Sequence, residues 1–210
     1  MQGRLTRWAP LSGIVFAAAF LVALLLFADV PSADSADAKL TGYFLTHSHQ
    51  LRLESAFFGA TIAVAFFFWF VGIFAARVGS SVYARIVVVS GTAAGIFFLA
   101  GLACDVALVS VADHSDAFRL DPNTARLLSD FAYPLTFETA LPLAAPLVLA
   151  ASLGGGFPGW LRRSGYFVAL GCILGFLGVP MALFLLWAVV VSVTISRGGH
   201  SASSPEPEGS

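Results

Sequence analysis

Five apolar runs fill most of this 210-residue chain: Leu11–Phe27, Ala56–Ala76, Ile86–Val111, Phe131–Ala151 and Gly165–Ser196. Only two charged residues, Asp105 and Glu138, fall inside them. A hydrocarbon core about 30 Å thick is crossed by a helix of about 20 apolar residues. Lipid offers the backbone no hydrogen-bond partner, so such runs must satisfy their own peptide groups. The expected fold is therefore all-α, a polytopic transmembrane helical bundle.

Composition agrees. Hydrophobic residues make up 58% of the chain and charged residues 11%, against about 25% charged in soluble domains. The net charge of -1 gives no argument for nucleic-acid binding. Residues 1–197 read as a single transmembrane domain without room for a sizeable extramembrane one, and residues 198–210 as a disordered tail rich in Ser, Pro and Glu. The basic head, with Arg4 and Arg7, followed by an apolar run also fits a cleaved signal peptide. Against that, the small-x-small candidates near Ala33 and Ala36 lie well beyond the run.

The segments between runs carry helix signals of their own. Leu40, Tyr43, Phe44, His47 and Leu51 recur at helical spacing, which predicts an amphipathic surface helix leading into the second span. Asp121 and Pro122 have the order of an N-cap and first helical residue, so a short helix is expected from there to Leu128. The last run would reach about 48 Å as one straight helix. Gly178-Val-Pro180 interrupts it, which favours two short spans, Gly165–Leu177 and Pro180–Ser196. That makes six spans, with short amphipathic or polar helices in the outer loops. A single kinked or tilted last helix would make five.

Charge separates along the chain. Arg4, Arg7, Arg77, Arg85, Arg162 and Arg163 fall on one side of this scheme. The opposite loops hold Lys39, Arg52, Arg119 and Arg126 among Asp29, Asp34, Asp37, Glu54, Asp113, Asp116, Asp121 and Asp130. The positive-inside rule places the arginine turns and the N-terminus in the cytoplasm of a cell whose plasma membrane the chain crosses. Arg197 joins the arginine side only with six spans.

The candidate polar site is intramembrane: Asp105, Glu138 and Pro142. Gly91, Ala94, Gly95, Phe98, Gly101 and Asp105 share one helical face, and the Gly91/Gly95 spacing allows close helix approach, so Asp105 should point into the bundle. Pro134, Glu138, Pro142 and Pro146 follow at i+4 on one face of the fourth run. Pro142 leaves the Glu138 carbonyl without its helical donor. Such a face should turn toward protein or water. The two acids would lie at similar depth in the outer leaflet, about 10 Å from the run ends. There, if they meet, they would share a proton, bind a metal ion or reach water, or else act as structural hydrogen-bonding groups.

Other chemistry is weakly signalled. His47, His49 and His114 could gather with Asp113 and Asp116, but no zinc-ligand spacing is present and no metal site is assigned. Cys104 and Cys172 read as packing residues, and Cys104 has no base at a suggestive spacing. Nucleophile-elbow, phosphate-loop and dinucleotide motifs are absent, so no catalytic residue or cofactor is assigned.

Several stretches carry a resemblance: Ala9-Pro-Leu-Ser-Gly-Ile-Val-Phe16, the helix around Tyr43-Phe44, the Asp121-Pro122 helix, Trp160-Leu161 and Leu186-Trp187-Ala-Val-Val-Val-Ser192. In these the chain resembles small multi-pass membrane proteins of actinobacteria whose function is unknown. The resemblance implies an integral membrane protein and carries over no catalytic residue. The leading expectation is an accessory or interaction component of the bilayer with a protein partner. The alternatives are a small ion-coupled carrier using the two acids, and a membrane enzyme with an outward-facing polar site.

Overall fold

The computed structural model describes residues 11–32, 34–78, 81–114, 120–154, 156–175 and 179–198, and among these it is all helix and connecting turn. In chain order the helices are α1 (Ser12–Phe27), α2 (Asp37–Leu45), α3 (His47–Arg77), α4 (Ser81–His114), α5 (Pro122–Tyr133), a π-helical segment (Pro134–Thr139), α6 (Ala140–Leu153), α7 (Gly159–Ile173) and α8 (Val179–Gly198). Four helical stretches among the described residues are long and apolar enough to cross a membrane: His47–Arg77, Val82–Val111, Pro122–Leu153 and Pro180–Arg197. α1 and α7 are shorter, with 16 and 15 residues, and reach about 24 and 22 Å. The expected tail, 198–210, lies almost wholly outside the described residues, as does the Gly178 turn between α7 and α8.

The apolar helices form a closed ring. Each of α1, α3, α4, α6 and α7 packs on the next, α7 packs on α8, and α8 returns to α1. Phenylalanines fill the middle. Phe16 and Phe20 of α1, Phe67 of α3, Phe98 of α4 and Phe184 of α8 are all fully buried. The ring centroids of Phe16 and Phe67 lie 4.6 Å apart, those of Phe20 and Phe98 5.0 Å, and those of Phe67 and Phe184 6.0 Å. These are ordinary spacings for attractive aromatic pairs.

One end of the ring is basic. Gly156 packs on the Arg77 carbonyl, which brings the α3–α4 and α6–α7 turns together. Arg197 of α8 shares a groove there with Pro158 and Trp160. The acidic end carries a second small core made by Leu40 and Phe44 of α2, Leu53 of α3, Leu108 and Val109 of α4 and Ala125 of α5. The N-cap expected at Asp121 is present: the Thr124 N–H donates to Asp121 Oδ2 at 3.0 Å.

The amphipathic segment differs from its sequence reading. It is not one helix but two, broken at Thr46, whose backbone is extended at φ -85°, ψ 118°. Side chains take up the carbonyls this break frees. Gln50 Nε2 donates to the Phe44 carbonyl at 3.0 Å, and His49 Nδ1 lies 3.2 Å from that of Tyr43. Satisfying the last carbonyls of α2 in this way makes the break tolerable.

Candidate functional site

Asp105 sits on α4 as its helical face required, 7% exposed, with Gly91, Ala94, Phe98 and Gly101 buried on the same side. The close approach falls at Gly101. A Cβ there would lie 2.8 Å from the Ala132 carbonyl oxygen and 2.9 Å from the Thr136 nitrogen, as well as against Thr136 Oγ1. Glycine thus lets the α5–π junction press directly on α4, and that contact carries Ser129 to Asp105. Ser129 Oγ donates to Asp105 Oδ1 at 3.0 Å.

Asp105 lines a cavity of about 480 Å³, within the range of about 300–1,000 Å³ usual for small-molecule sites. Its walls come from three places. Leu24 and Phe27 of α1, with Ala28, Val30, Pro31 and Ser32 of the turn after it, form one side; Ser129, Asp130, Ala132 and Tyr133 of α5 with Thr136 and Phe137 of the π segment supply the other; Leu102 and Asp105 of α4 lie between. The α1 wall is pinned at two points: Arg52 pairs with Asp29, and Arg126 pairs with Asp37 and donates to the Ser35 carbonyl at 3.1 Å. The lining is mainly apolar, with Asp105, Asp130, Ser32, Ser129, Tyr133 and Thr136 as its polar members.

Glu138 and Pro142 are placed elsewhere. Glu138 is exposed, Pro142 half-buried and Pro146 exposed, and none lines the Asp105 cavity. The face expected to turn toward protein or water is not packed into the bundle. Ala132, Thr136, Ala140, Ala144 and Val148 form the buried stripe of the same helix. They are offset by two residues from the proline series, which at about 100° per residue puts the two on opposite faces. Small residues win the inner face because they allow helices to approach closely. The backbone widens just before Pro142: the Ala140 N–H donates to the Leu135 carbonyl, an i to i-5 bond, within the π segment. The structure therefore brings Asp105 together with Ser129 and Asp130, not with Glu138.

The histidines do not join the cavity. His47 is exposed, and the His49 ring stacks on Tyr43 at 4.2 Å. Of His114 only the backbone is described, and Asp116 and Arg119 lie outside the described residues. Among the described residues no cluster of three His, Cys, Asp or Glu could hold a metal ion. Cys172 is fully buried, and Cys104 donates to the Ala100 carbonyl, so each cysteine is held by packing or its own helix.

Sequence reasoning misses Ser129, Tyr133 and Thr136, and places Asp130 only among the acids of an outer loop. The signal was there in weak form: Ala125, Ser129, Ala132 and Thr136 are small residues at i+3 and i+4, the mark of an inner helix face. The chain matches no family model, no curated protein and no solved structure.

Proposed function

We propose that this chain is an accessory, ligand-binding component of a bacterial plasma membrane, and that its outer-leaflet cavity receives a small amphiphile at Asp105. We take the bundle to cross six times with both ends cytoplasmic. The gathering of Arg77, Arg162, Arg163 and Arg197 at one end supports this, since α7 and α8 then run in opposite directions. The short α1 and α7 are accommodated by tilt or local thinning of the bilayer.

The observation that carries the binding reading is a nearly buried carboxyl group lining a cavity with mainly apolar walls. An ion-coupled carrier is the second reading, because an intramembrane acid in a cavity is also a coupling site. What favours binding over transport is the fill beyond it. Two turns from Asp105 toward the basic end, Phe98 packs with Phe20, Phe67 and Phe184. A carrier would have to part those rings in every cycle.

The test uses cysteines placed at 105, 129 and 163, one at a time, with Cys104 and Cys172 replaced by Ala. An impermeant thiol reagent added outside intact cells should label positions 105 and 129, and reach position 163 only after permeabilisation. Protection of both 105 and 129 would refute the outer cavity. Labelling of 105 from either side, in alternation with bound ligand, would refute the binding reading in favour of the carrier.

A further inference from the structure

We propose that the ligand of this cavity is a protonated amine borne on an apolar body; the proposal rests on reading the cavity as a ligand site. Three features of the lining choose the charge. Both ionisable carboxyls, Asp105 and Asp130, are acids, and among the described residues the lining contains no Lys, Arg or His. Ser129 donates to Oδ1 of Asp105, and Asp105 itself lines the cavity, so its carboxyl is presented to a ligand there. Phe27, Tyr133 and Phe137 bring aromatic rings to the same cavity, and aromatic rings attract cations further when water is excluded.

Charge and shape also fix how the ligand lies. Asp130 is exposed and Asp105 buried. A cation arriving from the outer surface meets Asp130 first and then the desolvated Asp105, where the interaction is stronger because the surroundings are less polar. The apolar body rests against Leu24, Phe27 and Phe137. A fatty acid, or a phosphate ester that carries no amine, would set an unbalanced negative charge beside two carboxyls, so net-anionic amphiphiles are disfavoured. An amine of this kind can come from the bilayer, as the headgroup of an aminophospholipid, or from solution, as a free long-chain amine.

The experiment is photo-crosslinking of the purified full chain in phosphatidylcholine nanodiscs, with a diazirine-tagged dodecylamine and the matching dodecanol, followed by peptide mapping. The amine should crosslink to the Leu24–Ser32 and Ala132–Phe137 walls, and the alcohol far less. Asp105→Asn should weaken amine crosslinking by about thirtyfold or more, the lower end of the effect of removing one partner of a buried charged pair. Competition on the unaltered protein guards against a misfolded variant: untagged dodecylammonium should displace the probe and dodecanoate should not. Displacement on adding phosphatidylethanolamine to the discs identifies the lipid headgroup as the source; its failure to compete identifies a free amine. Equal crosslinking of amine and alcohol within the cavity, or displacement by dodecanoate, overturns the amine and leaves the cavity as a binding site. Crosslinking of neither probe at those walls overturns both readings.

Discussion

Gly101→Ala is the substitution that most directly probes how the site is assembled. The added methyl would stand 2.8 Å from the Ala132 carbonyl oxygen and 2.9 Å from the Thr136 nitrogen. Both are backbone atoms, so no rotamer change relieves them; only the nearby Thr136 hydroxyl can turn away. α5 and the π segment must therefore shift from α4. Overpacking of this kind costs about 1–3 kcal/mol, and the gain in helix propensity from Gly to Ala returns about 0.5–1 kcal/mol. At the middle of both ranges the packing cost wins, for a net loss of about 1 kcal/mol. Gly72→Ala on α3 is the control, because nothing lies within 4 Å of its added Cβ. Thermal unfolding in one detergent should place Gly101→Ala below the unaltered protein and Gly72→Ala at or above it. Because the shift pulls Ser129 from Asp105, a cysteine at 105 should also label faster in the Gly101→Ala background. The reasoning fails if Gly101→Ala is as stable as the parent, or if the two glycine variants lose stability equally.

Two further predictions concern the acidic end. Asp121→Ala removes the cap that accepts the Thr124 N–H and should cost about 1 kcal/mol, read as faster amide exchange confined to the first turn of α5; unchanged exchange there would refute the capping role. Tyr43 is buried, and that burial pushes its phenol above the ordinary 10.0; its hydroxyl has no hydrogen-bond partner among the described residues. A raised folded-state value favours the protonated form, so the stability it supports is present below pH 10 and lost as pH rises beyond. Tyr43→Phe should therefore leave neutral-pH stability equal or higher and flatten the loss on going from pH 9 to 11, whereas a variant that loses stability at neutral pH would show that the hydroxyl has a partner.

The fold was legible in the sequence wherever one strong local cause acted. Uninterrupted apolar length dictated helices, because lipid leaves a backbone no other way to satisfy its peptide groups. Asp121 and Pro122 set the start of α5 by capping chemistry alone. The inward direction of Asp105 followed from glycines and alanines at helical spacing on α4. The break at Thr46 was hidden because it depends on Gln50 and His49 reaching back to carbonyls that one continuous helix would have used itself.

What the tertiary structure decided was which of two helical faces lies inward and who meets whom. Both i+4 series of the fourth apolar run have the same period, so spacing alone cannot rank them. Packing ranks them: Thr136 and Ala132 fit against Gly101, and the prolines and Glu138 do not. By itself the sequence determined that the chain is helical and membrane-embedded, and that an acid at 105 must face protein, since these follow from short-range chemistry in a solvent that tolerates few exceptions. The partnership of Asp105 with Ser129, and the cavity between α1 and the π segment, come from contacts across more than twenty residues, and only the close approach of backbones at Gly101 brings them about.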